Sequence, residues 1–286
     1  MKTRAVLFLL GAAFLWSLGG LLIKLVEWNP FAISGMRSAI AAIVILAFRR
    51  RMRLNWSLPQ LGGAFCYAAT VVLFVLATKW TTAANAILLQ YTAPIYVAVL
   101  SYWFLRERIT RSDLAAIAVT IGGMTLFFLD DLSGGGVAGN IMAILSGIAF
   151  AGTALFLRKQ KDGSPVESVF LGNVAAFLVG IPFMFQSLPG AAGWLALILL
   201  GVFQLGISYI LYAEALKHVT ALEGILIPII EPILNPIWVF LLLKEKPGQW
   251  AVAGGIVVLA AITVRCLQTL RQNGRILRST QRAQNR

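Results

Sequence analysis

Ten stretches of the chain are long and apolar enough to cross a lipid bilayer, and little lies between them. They run roughly over 5–26, 31–48, 60–78, 82–105, 112–129, 139–157, 166–186, 193–213, 220–243 and 248–267. A bilayer core takes about 20 apolar residues per helix, because hydrocarbon offers the backbone no hydrogen-bond partner outside its own segment. A membrane β-barrel needs alternating strands of about ten residues instead, unlike these continuous runs. Charged residues make up 12% of the chain, against about a quarter in a soluble domain. The expected fold is an all-α membrane protein of ten transmembrane helices. Nothing of domain size lies outside the membrane, so any site must be built inside the helix bundle.

The N-terminus, MKTRAVLFLLGAAFLWSLGGLLIKL, begins basic and turns apolar as a signal peptide does. Its run is too long for one and no small-x-small cleavage site follows, so it reads as an uncleaved first span. Threading ten spans from a cytoplasmic N-terminus puts 19 of the 24 basic residues on the inner side and four on the outer, with Arg37 inside the second span. By the positive-inside rule this places both termini in the cytoplasm of a multi-pass protein of the inner (plasma) membrane. The net charge of +13 is then topology and contact with anionic lipid rather than a nucleic-acid signal. Cys66 and Cys266 sit in separate spans and read as small hydrophobes. With one histidine, His218, and no HExxH, GxSxG or phosphate-binding loop, the chain carries no enzyme signature, and neither a cofactor nor a metal is expected.

The two halves repeat. TAANAILLQYTAPIYVAVLSYWFLRER (82–108) aligns with TALEGILIPIIEPILNPIWVFLLLKEK (220–246) at an offset of 138, matching Pro94 to Pro232 and the Arg-Glu-Arg triplet at 106–108 to Lys-Glu-Lys at 244–246. Gly11, Ala13 and Phe14 align with Gly147, Ala149 and Phe150 at an offset of 136. Five spans per copy make the second enter the membrane from the opposite side, an inverted-topology repeat of the kind that secondary transporters use. The expected boundaries are 1–131 for the first repeat, 139–268 for the second and 269–286 for a basic cytoplasmic tail.

Within LIPIIEPILNPIWVF (226–240), Pro228, Pro232 and Pro236 recur every four residues, and Glu231 precedes the middle one. Each proline lacks an N–H and crowds the carbonyl four residues back, so the helix is expected to bend there. Pro94 and Pro232 are the symmetric bending points. An intramembrane carboxylate is costly and by default functional. Glu231 can bind a substrate ammonium or carry a proton; alternatively it is a neutral carboxyl bonded to a carbonyl freed by a proline. Trp16, Tyr91, Phe150 and Tyr209 are candidates for a wall accepting flat apolar side chains. The amides Asn85, Gln90, Gln204 and Asn235 either bind a zwitterion or link helices, with Gln90 and Asn235 foremost. Lys79, at a span end, either snorkels to the interface or meets a substrate carboxylate. Arg37 and Glu214 read as structural, and Glu223 is left open.

Ten spans in two inverted halves, with proline-bearing fourth and ninth spans that end in LRER and LKEK, resemble the drug/metabolite transporter superfamily in its EamA-like branch. The resemblance covers essentially the whole chain. Trp16, Lys79 and the Gln90-Tyr91 pair resemble, more narrowly, the YddG aromatic amino acid exporters. The resemblance implies export of amino acids, aromatic and other neutral ones, by alternating access. It implies a central cavity lined by spans 1, 3, 4, 6, 8 and 9, which places Trp16 at that cavity, and bending of spans 4 and 9. The alternative is export of another metabolite or an organic cation, with or without proton coupling. The expected partners are a small-molecule substrate and the lipid bilayer, with no nucleic acid, and the chain is expected to be a monomer.

Overall fold

The computed structural model describes residues 1–127 other than 50, together with 129, 136–234, 249, 250, 252–261, 263, 264, 267 and 268. Among these residues every regular element is helical. The elements are α1 (Lys2–Trp16), α2 (Gly19–Leu25), α3 (Pro30–Phe48), α4 (Leu58–Trp80), α5 (Ala83–Gln90), α6 (Ala93–Leu105), α7 (Arg111–Phe127), α8 (Val137–Lys159), α9 (Pro165–Gly180), α10 (Ala191–Leu199), α11 (Ser208–Ala215) and α12 (Ala221–Leu226).

Seven helical stretches among the described residues are long and apolar enough to cross a membrane: Lys2–Leu25, Pro30–Phe48, Leu58–Trp80, Asn85–Leu105, Val137–Lys159, Pro165–Phe183 and Ala191–Ala215. The sequence reading expects ten. Of the other three windows, one is α7, at 17 residues, and one contains the shorter apolar helix Val252–Ala261. The third enters as α12 and stays helical to Leu234; Asn235 and Pro236 lie outside the described residues. The surface is turned inside out relative to a soluble protein. Trp103, Leu58 and Phe65 are 81%, 80% and 74% exposed, as side chains facing lipid can be.

Local chemistry sets the helix starts. Asn29 Oδ1 accepts from the Phe31 N–H with Pro30 at the first turn of α3, Ser57 caps α4 and Thr82 caps α5. Thr220 and Glu223 close a reciprocal capping box on α12. Three spans are broken. The first breaks at Ser17-Leu18, ahead of Gly19-Gly20. The fourth breaks at Tyr91-Thr92, where Pro94 sits in the first turn of α6 and cannot donate back to Gln90. The stretch after α12 tightens to a 3-10 turn over Ile227–Ile230 around Pro228. Between α10 and α11 the helix instead widens to π-helical bonding over Leu200–Ile207, a deformation frequent at functional sites.

α4 lies along α8, α3 along α9, and α1 along α11; α4 also touches α9, and α3 touches the π-helical segment. The crossings use small residues, as bilayer helices must when lipid is as apolar as leucine. At the α3–α9 crossing a Cβ on Gly35 would lie 2.8 Å from the Gly180 Cα, and one on Gly180 would lie 2.7 Å from the Gly35 Cα. Gly180→Leu therefore forces the two backbones apart and should destabilise the bundle by about 1–3 kcal/mol. The midpoint of thermal unfolding in detergent checks this, and an unchanged midpoint would mean that the crossing is not tightly packed.

Candidate functional site

The helix breaks and the π-helical segment converge on one narrow cavity between the helices, with room for only a few waters. Its aromatic wall is Trp16 at the end of α1, Phe74 on α4, which the sequence reading passes over, Phe150 on α8 and Tyr209 on α11. Trp16 and Phe150 meet edge to face at 5.8 Å between ring centres, and Trp16 and Tyr209 are tilted at 4.9 Å. Trp16 is pinned: its indole N–H donates to Ser208 Oγ at 2.9 Å. Tyr212, which the sequence reading passes over, stands 5.1 Å behind Trp16, and Tyr67 packs edge-on to Tyr209 at 4.6 Å.

The polar groups sit at the breaks. Gln90, the last residue of α5, lines the cavity and donates through Nε2 to Ser146 Oγ at 2.8 Å. The Ser146 hydroxyl in turn donates to the Thr70 carbonyl. α8 can approach this close because residue 147 is glycine: a Cβ there would sit 2.7 Å from the Gln90 carbonyl oxygen. Glu231 lines the cavity just after the 3-10 turn, and the Tyr91 hydroxyl donates to its Oε2 at 2.5 Å. The Pro228 carbonyl oxygen is 3.3 Å from the same hydroxyl.

Two further residues enter from elements the sequence reading held back. Arg37, on α3, and Gln204, in the π-helical segment, line the same cavity. Arg37 Nη1 donates to Gln204 Oε1 at 3.2 Å, and Nη2 donates to the Val71 carbonyl at 2.9 Å. Arg37 is 1% exposed. The sequence reading gives it a structural part, yet the rule that singles out Glu231 as a rare intramembrane charge applies equally to it.

Trp16, Gln90, Phe150, Tyr209 and Glu231 are thus brought together, with Tyr91 bonded to Glu231. Lys79 is not part of this lining; its Nζ donates to the Val26 carbonyl at 2.6 Å. Asn85 is buried near Thr81 and Asn140 instead. Pro228 is buried in the 3-10 turn, and Pro94 and Pro232 are buried in helix. Asn235 and Pro236 lie outside the described residues. Among the described residues no group of three metal-ligating side chains occurs.

Toward the end of the bundle that carries Arg49, Arg53 and Lys159, a clamp ties both halves. The Glu107 carboxylate accepts from Arg158 Nε at 2.8 Å and from the Ala221 N–H at 3.0 Å. Arg158 Nη1 also donates to the Leu216 and Lys217 carbonyls at 3.0 and 2.9 Å. Glu107 reaches this position because Arg106 ends α6 in the left-handed conformation, φ 58°, which costs a non-glycine residue about 1–2 kcal/mol.

The comparisons with known proteins agree on the class. A family model described as the EamA-like transporter family matches residues 3–129 and again 137–265. The chain is 26% identical to an uncharacterized transporter of Archaeoglobus fulgidus, covering 85% of this chain and 88% of the relative. It is 26% identical to the pseudopaline exporter CntI of Pseudomonas aeruginosa, covering 79% and 82%. It is 24% identical to human solute carrier family 35 member G1, covering 87% and 75%. A solved crystal structure shares the fold, with a TM-score of 0.78 at 20% identity over 94% of this chain and 99% of the other. The chain is a multi-pass membrane transporter rather than an enzyme, and it belongs to the EamA-like transporter family.

Proposed function

We propose that this transporter exports amino acids with neutral, bulky side chains, aromatic ones among them, by alternating access through the central cavity. The observation that carries this reading is the wall of Trp16, Phe150 and Tyr209 facing polar groups at the helix breaks. Rigid aromatic faces accept flat apolar groups, while a few placed polar groups fix orientation. The cavity as it stands is narrow, with room for a few waters. Admitting a solute therefore needs the halves to part.

The packing supports a ten-span, two-repeat architecture able to do this. Exchanging first-half spans for their second-half counterparts pairs up the largest helix contacts: α4 on α8 mirrors α1 on α11, α4 on α9 mirrors α3 on the π-helical segment, and α3 on α9 maps onto itself. The doubled family match agrees with this reading. On this reading both termini lie in the cytoplasm and the arginine-rich end faces inward across the inner membrane, as the charge bias of the loops favours, and the relative described as a pseudopaline exporter supports outward transport. Glu231 also favours a second reading, an exporter of organic cations or another metabolite, with or without proton coupling.

Counterflow in liposomes tests both. Protein reconstituted at two external pH values is offered labelled phenylalanine, leucine and an organic cation. Exchange of the amino acids above empty liposomes is the expected result. Exchange of the cation alone would replace the first reading with the second.

A further inference from the structure

We propose that Arg37 is the carboxylate anchor of the central cavity, so that the substrate is a zwitterion held with its carboxylate at Arg37 and its ammonium toward Glu231. This assignment rests on the reading of that cavity as the transport site and names the chemistry it selects. A guanidinium offers five N–H donors in a planar fork suited to a carboxylate. Two protein acceptors meet it here, both uncharged: the Gln204 amide oxygen and the Val71 carbonyl. Its Nε–H meets no acceptor. Among the described residues no carboxylate lies within 4.0 Å of it. A buried charge in a membrane protein is normally paired. Arg37 lines the cavity with no carboxylate in contact among the described residues, and so suits one anionic group.

The rest of the cavity fixes what that anion belongs to. Glu231 lines the same cavity, which Trp16, Phe74, Phe150 and Tyr209 give an aromatic wall. One cationic group, one anionic group and an apolar wall match an amino acid whose side chain is uncharged. A simple anion would leave Glu231 without a counter-charge. A simple cation would meet the repulsion of Arg37. The Gln204 contact comes from the π-helical segment.

The rival is a purely structural Arg37 that ties α3 to α4 and to the π-helical segment. Matched probes separate the two. Wild-type protein, Arg37→Gln and Arg37→Lys are reconstituted after elution as a single symmetric peak. Each is tested by counterflow competition with phenylalanine, phenethylamine, which lacks the carboxylate, and 3-phenylpropionate, which lacks the ammonium. Wild type should prefer phenylalanine to phenethylamine by about ten-fold or more, the scale of one hydrogen-bonded charge. Arg37→Gln should erase that preference while keeping phenethylamine, and Arg37→Lys should restore part of it. The wild-type ratio needs no variant, so it reads the assignment even if Arg37→Gln fails to fold. A preference unchanged in Arg37→Gln overturns the anchor. Wild type carrying phenethylamine but not phenylalanine overturns it too, while leaving the transport cavity standing. Carriage of none of the three removes the cavity reading and this assignment together.

Discussion

Replacing Glu231 by glutamine should lower the initial rate of amino acid counterflow by ten- to a hundred-fold while leaving the protein folded. The amide introduced by Glu231→Gln can still accept from the Tyr91 hydroxyl, which meets one carboxylate oxygen in the wild-type protein. The shape of the site and its hydrogen bond survive, and only the negative charge goes. A hydrogen bond to a charged group contributes about 1.5–3 kcal/mol, which is the ten- to hundred-fold range in affinity. Tyr91→Phe makes the complementary change, keeping the charge and removing its donor, and should cost only a few-fold. Rates with subsaturating and saturating substrate separate weakened binding from slowed turnover. If Glu231→Gln transports at the wild-type rate at both acidic and neutral pH, Glu231 neither holds the substrate nor carries a proton.

Breaking the clamp at the arginine-rich end should shift the protein toward the conformation open at that end. Glu107→Ala removes the acceptor of both Arg158 Nε and the Ala221 N–H. The two side chains of the ion pair are 15% and 18% exposed, so solvent screens the pair, and a net of about 1–2 kcal/mol is appropriate. That corresponds to roughly a ten-fold change in the balance between states. The substitution Val71→Cys, at a position that lines the cavity, reports the shift in a background where Cys66 and Cys266 are replaced. An impermeant thiol reagent added on the arginine-rich side should label it several-fold faster in Glu107→Ala than in the parent. Equal labelling rates would show that the clamp does not hold that end shut.

What the sequence makes legible here is set by covalent constraint and by charge. Proline beyond the first turn removes a helix hydrogen bond, so interruptions at proline-bearing stretches can be read directly: the fourth span breaks just before Pro94 and the ninth tightens around Pro228, whereas Pro232, the expected symmetric partner of Pro94, lies in helix. Glu231 is visible because an acid in an apolar run is rare. Facing is harder to read. In a soluble helix the apolar stripe marks the inside, but a membrane helix is apolar toward lipid and toward its neighbours alike. Nothing in the pattern of α3 says that Arg37 points to the cavity rather than to a span partner, and nothing in LGVFQLGI (200–207) announces π-helical bonding. Lys79 fails as a cavity residue for the same reason: its position near a span end is readable, but its tie to the Val26 carbonyl depends on where α2 stops. The three shortfalls in span count arise at α7, at the last apolar stretch and in the ninth window. α7 runs for 17 residues, and the ninth and last windows include residues outside the described ones.

The start of α12 has a mechanical consequence. Its capping box is closed by its own residues: Thr220 Oγ1 accepts from the Glu223 N–H, and Glu223 Oε2 accepts from the Thr220 N–H, while Glu223 Oε1 also lies 4.0 Å from Lys2 Nζ. Glu107 takes a different donor, the Ala221 N–H. Letting go of Glu107 therefore does not fray the helix, because its first turn keeps its own knots. In the proposed transport cycle, α12 therefore moves as one capped turn whose latch and whose integrity are separate contacts, with Glu231 directly beyond the Ile227–Ile230 turn that follows it.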